Sequence, residues 1–472
     1  MRADFMFAEA EMKNESEIRL ENAICGAPPD RAPTAPLLYY FAAAYAGISC
    51  EDLVHRPIAY REAVEKCWED LGPWDVYYPL NAISRDVMSL AMPMKAVYPG
   101  EELPPNETVQ FLEEEIMTPE DYEWLLEPLA PSSVKELRAG LRRGLLDLLR
   151  RGPGDPDAGK LRFSIDTARS ALSGFFHSAY GDRRETAEEL RTHAAFARTL
   201  ARLLRDPALD PDFFFRYCLF ATRMAARVRG RSNVLENAAL LLRGLVRQLD
   251  FTKYDVAAWK KRGAAPLFGM GFEGPFDSFS MARSMIPFTT GDLFDRQREV
   301  KWAAILATDF FVAMAELGTA LTGVPRFIYA AHRTSNDFIS PTHFMELAFP
   351  AMRMITEAIT ERGITMIFHC DGMWNFNLEY LAALPEGKCV FQFDGRTDMR
   401  LAREKLGPGH CIFGDVPATL LAHGEPDEVR DYCRGLLRDI GAEGRFILGA
   451  GCEVPPDAKP ENVRAMLRAP EE

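Results

Sequence analysis

The sequence predicts an α/β protein, a (β/α)8 barrel of the TIM type with a helical insertion in its N-terminal half. The main observation is a series of five short apolar segments that alternate with helical segments after residue 300. These segments are 326–330, 364–369, 388–393, 410–413 and 445–449. Short apolar strands separated by helices are typical of a parallel sheet covered on both faces.

The second observation concerns strands nearer the N-terminus. Segments 74–79 (WDVYYP) and 92–97 (MPMKAV) have the composition of short buried strands. With these two, the number of strands approaches the eight that close a barrel. An open doubly wound sheet is the alternative that the same alternation allows.

The third observation is an almost wholly helical middle. Thr118-Pro119-Glu120-Asp121 has the capping residue, proline and acids of a helix start. Residues 135–151 place leucines on one helical face and arginines on the other. We therefore divide the chain into 1–118 with the first strands, a helical insertion at 119–262, and 263–472 with the rest of the barrel and the site.

Composition excludes some classes of partner. The formal charge of -14 disfavours nucleic-acid binding, which needs a basic surface. No uninterrupted apolar run reaches the roughly 18 to 20 residues of a bilayer span, and no signal peptide is evident. Nine scattered cysteines, an odd number, indicate reduced thiols and a cytoplasmic location.

Potential metal ligands follow two of the predicted strands. His369 and Asp371 are two residues apart, so both side chains can point to the same side, while Cys370 points away. Cys452 follows the last strand and can complete a set of three. Imidazole, carboxylate and thiolate are ordinary zinc ligands, and three of them leave one position open for catalysis. The alternative is a hydrogen-bonded histidine and a small buried cysteine.

Other polar residues lie at the same end of the strands. Asp394 is a candidate catalytic base, ligand holder or helix cap, and Glu453 is a candidate catalytic or ligand-orienting residue. We expect residues 271–288 to form a loop over the barrel mouth, with Arg283 placed either to bind substrate or in solvent. His332, Arg333 and Asp337 are candidate substrate contacts, with a plain loop as the alternative. These last three follow the strand 326–330.

The C-terminal third resembles the uroporphyrinogen decarboxylase superfamily, which includes cobalamin-dependent methyltransferases. The similarity lies in IFHCDG at 367–372, Phe393-Asp394, GDVPATLLAHGEPDEV at 414–429 and FILGAGCEVPPDAKPENV at 446–463. The resemblance covers about 325–470 strongly and implies a (β/α)8 barrel.

The methyltransferase branch implies a zinc motif, His-x-Cys with a distant Cys. Carried over to this sequence, the ligands are His369, Asp371 and Cys452. The chain departs from the motif at Asp371, where the family has a thiolate. A harder carboxylate ligand leads us to expect oxygen- or carbon-bound methyl groups as substrates in preference to thiols.

The decarboxylase branch fits less well. Its N-terminal Arg-Gln-Ala-Gly-Arg motif has no counterpart here, and its essential acid aligns with Asn81. An asparagine cannot supply a negative charge to pyrrole nitrogens, so Asn81 is retained only as a substrate contact.

The resemblance therefore implies a methyltransferase component that works with zinc and with cobalamin carried by a separate corrinoid protein. The chain has no Asp-x-His-x-x-Gly cobalamin motif of its own. The alternatives are a metal-independent decarboxylase of another acid and a non-catalytic tetrapyrrole-binding barrel. We expect a small-molecule methyl donor or acceptor as the partner, and we expect no binding to nucleic acid or to a membrane. A homo-oligomer is compatible with the sequence.

Overall fold

The computed structural model of the chain describes residues 14–27, 29–79, 88, 92–128, 195, 198–199, 202–203, 206–230 and 234–472. Within these residues the strands are β1 Val76–Tyr77, β2 Lys95–Val97, β3 Gln110–Leu112, β4 Ala265–Pro266, β5 Met270–Glu273, β6 Arg326–Ala331, β7 Thr365–Cys370, β8 Cys389–Phe393, β9 Cys411–Val416 and β10 Phe446–Ala450. Six of them form one sheet in the order β10-β9-β8-β7-β6-β5, and every neighbouring pair is parallel.

Helices connect these strands and surround them. The described α-helices of five or more residues are Glu15–Cys25, Tyr39–Ala46, Cys50–His55, Pro57–Leu71, Glu120–Leu126, Pro211–Val228, Val234–Arg262, Pro275–Arg283, Gln297–Leu306, Thr308–Thr322, Phe349–Glu361, Leu378–Ala382, Met399–Leu406, Ala418–His423, Pro426–Asp439 and Pro460–Arg468. Every residue of β8, β9 and β10 is buried, as expected for parallel strands covered on both faces. The five strands predicted after residue 300 are confirmed as β6 to β10, and the fold is α/β with a parallel sheet.

Parallel hydrogen bonding continues beyond these six strands. Leu448 of β10 donates to the carbonyl of Pro33 at 2.9 Å, and its own carbonyl accepts from Ala35 at 2.9 Å. The Thr34 carbonyl in turn accepts from Val76 of β1 at 2.9 Å. β1 pairs in parallel with β4, which precedes β5 by three residues. A continuous series of backbone hydrogen bonds thus leads from β10 through Thr34 and β1 to β4.

The expectation of a loop at 271–288 is wrong. This segment contains most of β5 and the helix Pro275–Arg283. Its glycines obscured the strand, because glycine has low strand propensity. They are required by packing, since a Cβ on Gly271 would lie 1.9 Å from Cγ2 of Ile328 in the neighbouring strand.

The expected strand at 92–97 exists but has a different role. β2 pairs antiparallel with β3, whose three residues are exposed, and neither strand belongs to the parallel sheet. The pair forms a hairpin that precedes residues 113–117. The sequence pattern indicated a strand correctly but gave no information about its partner.

The helical middle agrees with the sequence where it is described. The described elements between residues 119 and 262 are the helices Glu120–Leu126, Pro211–Val228 and Val234–Arg262. Tyr217 packs its ring against Phe310 of the helix Thr308–Thr322, with centroids 5.0 Å apart. The predicted helix at 135–151 lies outside the described residues.

One helical stretch meets the length and composition criteria for a membrane span. Gln297–Thr322 is 26 residues long, and 72% of its most apolar window is buried inside the protein. This test admits charged residues, and Asp309 and Glu316 interrupt the stretch, so the expectation that no uninterrupted apolar run is long enough is not contradicted. Core helices of soluble proteins meet the same criteria, so the stretch is weak evidence for a membrane.

Candidate metal centre

The ends of three parallel strands bring four potential ligands together. His369 is the fifth residue of β7, Asp371 follows the end of that strand, His332 follows β6, and Cys452 lies two residues after β10. Because these strands are parallel, their C-terminal ends share one edge of the sheet. The ligands predicted from separate parts of the sequence therefore meet at one place.

The distances between donor atoms are short. His369 Nε2 lies 3.2 Å from Asp371 Oδ1 and 3.6 Å from Cys452 Sγ. His332 Nε2 lies 3.2 Å from the other Asp371 oxygen, Oδ2. One ligand atom each from His332, His369 and Asp371 lies within 4.8 Å of the others.

These separations match those of a tetrahedral zinc site. Zinc binds nitrogen or oxygen at about 2.0–2.1 Å and sulfur at about 2.3 Å, which places two N/O donors about 3.3 Å apart and nitrogen about 3.6 Å from sulfur. Among the described residues, no hydrogen bond of good geometry reaches the buried Asp371 Oδ1 atom, although His369 Nε2 lies 3.2 Å away. A buried carboxylate oxygen of this kind, with imidazole and thiol groups beside it, fits a bound cation.

Gln392 of β8 fixes the orientation of His369. Its Nε2 faces the carbonyls of Ala450 and Gly451 at 3.5 and 3.3 Å, so the amide oxygen must face the imidazole. That oxygen lies 2.8 Å from His369 Nδ1 and also accepts from the Tyr78 hydroxyl. Nδ1 therefore carries a proton, and the Nε2 lone pair of the neutral ring is directed at the ligand cluster.

Glu273 makes a similar contact with His332. Its Oε2 lies 3.2 Å from His332 Nδ1, so Nε2 of that ring also faces Asp371. The backbone N–H groups of His332 and Arg333 donate to the buried Asp277 carboxylate. Side chain and backbone contacts together position His332 after β6.

The electrostatics of the cluster favour positive charge. Burial lowers the pKa of both imidazoles, but the neighbouring negative groups raise it by more than burial lowers it. Glu273 and Asp371 raise the pKa of His332 to about 9, and Asp371 and Cys452 raise that of His369 well above its ordinary value. Burial raises the pKa of Asp371, yet the two histidines lower it below its ordinary value. A divalent cation would compete with protons for the same Nε2 atoms.

Asp394 and Asp337 lie beside the cluster and hold the turn that carries Asp371. The Asp394 carboxylate accepts from the backbone N–H groups of Gly372 and Arg396 at 2.7 and 2.9 Å. Asp337 accepts from the N–H of Met373 at 3.0 Å. These contacts agree with the ligand-holder role considered for Asp394.

Arg283 and Arg333 are largely buried in ion pairs. All three nitrogens of Arg283 are bonded to protein acceptors, with Nε 2.7 Å from Asp292 and Nη1 against Glu115. Arg333 pairs with Glu113 and donates to the Ser280 carbonyl at 3.2 Å. The two arginines thus anchor residues 113–117 near the strand ends. Asn81 lies outside the described residues.

Glu453 directly follows Cys452 and is partly buried. Burial raises the pKa of its carboxyl to about 7; His369 opposes this shift and Asp371 adds to it. These interactions place the carboxyl within electrostatic reach of the ligand cluster.

Three orienting residues were not found from the sequence: Tyr78, Glu273 and Gln392. Gln392 did give a signal, because it is the one amide in an otherwise apolar strand, CVFQF. Glu273 gave none, since its strand was not predicted. Tyr78 follows a recognised strand but resembles any buried aromatic residue there.

Comparison with known proteins identifies a family for the C-terminal part of the chain. Residues 251–472 match the uroporphyrinogen decarboxylase (URO-D) family model. A uroporphyrinogen decarboxylase from Anaeromyxobacter sp. is 30% identical over 26% of this chain and 34% of the relative. A methylated-thiol–coenzyme M methyltransferase from Methanosarcina mazei is 29% identical over 34% of this chain and 42% of the relative. The matched regions thus span less than half of these relatives.

A solved structure extends the likeness over the whole chain. A methyltransferase from Methanosarcina mazei has a TM-score of 0.56 and 14% sequence identity, and the comparison covers 98% of this chain and 99% of that one. At this identity the likeness concerns the fold alone. The resemblance inferred from the C-terminal motifs is confirmed at the family level: residues 251–472 match the URO-D family model, and the relatives include decarboxylases and a methyltransferase.

Proposed function

We propose that this protein is a methyltransferase component that moves a methyl group between a small organic substrate and a separate corrinoid protein, assisted by zinc. The observation that carries the proposal is the cluster of His369, Asp371 and Cys452, with donor separations of 3.2 and 3.6 Å. The methylated-thiol–coenzyme M methyltransferase among its relatives supports it. A metal-independent decarboxylase has no need of such a ligand set.

We further propose that the strands close into a (β/α)8 barrel with the cluster at its mouth. The series of hydrogen bonds from β10 through Thr34 and β1 to β4 supports closure, because β4 leads directly into β5. If β4 and β5 are counted as one strand, residues 33–35 would then supply the eighth strand. In such barrels, active residues gather at the C-terminal ends of the strands, where this cluster lies.

In the proposed mechanism His369, Asp371 and Cys452 would hold the zinc, and Gln392 would keep the His369 imidazole aligned. Bound zinc would supply Lewis acidity to the leaving atom of the methyl donor. Asp371, a harder ligand than thiolate, favours O- or C-methylated substrates. Asp394 holds the turn on which Asp371 lies.

Glu453 is proposed to hold a proton for the leaving group, because it adjoins Cys452. Asn81, Arg333 and Asp337 are proposed to contact the substrate, and Arg283 to hold the segment 113–117. The methyl acceptor, cobalamin, would arrive on the corrinoid protein, because the sequence has no binding motif for it. A cytoplasmic location fits nine cysteines that are all free thiols.

The proposal is tested by incubating zinc-loaded protein with cob(I)alamin and a panel of deuteromethyl ethers, and recording methylcobalamin by absorbance and mass spectrometry. We expect turnover to fall by about 100-fold or more in Cys452→Ala, because metal activation contributes several kcal/mol. Cys25→Ala, which removes an exposed thiol, is the matched control and should behave as the parent. Turnover that survives Cys452→Ala, or metal-free release of CO2 from an acid substrate, would contradict the proposal.

A further inference from the structure

We infer that His332, oriented by Glu273, is a ligand of the same metal ion, so that two imidazoles and one carboxylate form the core of the site. This inference rests on the zinc site of the proposed function and adds to it. The zinc motif of the resembled family contains one histidine, and the sequence assigned His332 to the substrate. The role therefore follows from the geometry alone.

The position of His332 relative to Asp371 is the first argument. His332 Nε2 lies 3.2 Å from Asp371 Oδ2, the same separation that joins His369 Nε2 to Oδ1. Both imidazoles thus present Nε2 to one carboxylate, and their ring planes are 85° apart with centroids at 5.6 Å. An imidazole binds a metal ion through the lone pair in its ring plane, and these two rings are not stacked, so both Nε2 atoms can be directed at an ion beside the Asp371 carboxylate.

Orientation by Glu273 is the second argument. Its Oε2 lies 3.2 Å from His332 Nδ1, an ion-pair distance, and no other described residue donates a hydrogen bond to this buried oxygen. Glu273 is 6% exposed, so a carboxylate here has little water to solvate it. A carboxylate behind a metal-bound imidazole is a common arrangement, which fixes the tautomer and increases the basicity of the ligand. Gln392 has the corresponding position behind His369.

The consequence is a site richer in nitrogen and oxygen than one built on thiolates. If Cys452, whose Sγ lies 3.6 Å from His369 Nε2, also bound the ion, four protein donors would surround it. A substrate must then displace one ligand or bind as a fifth. Such a donor set would accept zinc but also suits iron(II), for which two histidines and a carboxylate are typical ligands.

Zinc K-edge X-ray absorption on the purified, zinc-loaded wild-type protein tests the inference directly. We expect scattering from two imidazole rings and one sulfur, the latter at about 2.3 Å. Scattering from a single imidazole would overturn the assignment. Since this measurement needs no substrate, it is independent of methyl transfer: a one-imidazole site could still be active, and a two-imidazole site could still be inactive.

Substitutions provide a second readout through zinc affinity. His332→Ala should lose one imidazole from the spectrum, and Glu273→Gln should weaken zinc binding by about 10- to 100-fold with both rings retained. His423→Ala is the control, because that histidine is exposed at the end of the helix Ala418–His423. An unchanged zinc affinity in both site variants, each confirmed as folded by circular dichroism, would overturn the role of His332.

Discussion

At the scale of single residues, the proposed metal site depends on the side chains that orient its candidate ligands as much as on those ligands. The sequence predicted His369, Asp371 and Cys452 as ligands because strand alternation and family resemblance point to them. It did not identify Gln392, whose amide oxygen serves both His369 and Tyr78. Such contacts join residues that are distant in the sequence, 314 positions apart for Tyr78 and Gln392, so no local pattern contains them.

Replacement of Gln392 by methionine should separate orientation from ligation. The change removes the acceptor of His369 Nδ1 while keeping similar volume, and it leaves the buried Tyr78 hydroxyl without a partner. We expect zinc affinity to fall by about 10- to 100-fold, and unfolding free energy to fall by about 1–3 kcal/mol. Isothermal titration with zinc and chemical denaturation measure the two effects. Wild-type zinc affinity in Gln392→Met would contradict the orienting role.

At the scale of elements, the sequence predicted well where strands are continuous apolar runs and poorly where packing requires glycine. Strands β6 to β10 were located to within a few residues. β5 was missed because Gly271 is needed where Ile328 approaches closely. The segment 33–35 was missed because its hydrogen bonds to Leu448 and Val76 depend on distant partners, not on its own composition.

Substitution of Gly271 tests the packing between β5 and β6. Gly271→Ala should destabilise the protein by about 1–3 kcal/mol, because the new Cβ would lie 1.9 Å from Ile328 Cγ2. Gly435→Ala is the matched control, since this residue lies within the helix Pro426–Asp439 with nothing within 4 Å of a Cβ. It should stabilise by about 0.5–1 kcal/mol. Equal effects of the two changes on unfolding would contradict the account of β5.

At the scale of the whole molecule, the two ends of the parallel strands have different roles. The N-terminal ends carry a network of structural ion pairs. Asp75 accepts from the Thr34 N–H at 2.9 Å and from Arg31 at 2.6 Å, and Arg326 pairs with Glu17 at 2.6 Å. The C-terminal ends carry the ligand cluster. The sequence indicated the second set, because its acids and histidines follow recognisable strands, but not the first.

Burial of acids should make stability depend on pH. Asp255 is fully buried beside Tyr77, and burial raises the pKa of its carboxyl to about 7. The folded protein then binds this proton more tightly than the unfolded chain does. As the pH rises from about 4 to 7, the group therefore lowers the free energy of unfolding by up to about 1.4 kcal/mol for each pH unit. Asp255→Asn should flatten the decline in melting temperature over that range. Asp250→Asn, on the same helix, is the control; equal pH profiles for the two variants would contradict this assignment.

The zinc content of the purified protein, measured by elemental analysis in the wild type and in His369→Ala, tests the central claim most directly. His369 contacts both Asp371 and Cys452, so its loss removes the group that links the other two donors. We predict one zinc ion per chain in the wild type and a substoichiometric amount in the folded variant. A wild-type protein without zinc after loading and desalting, or a variant that keeps one equivalent, would contradict the assignment of a metal centre.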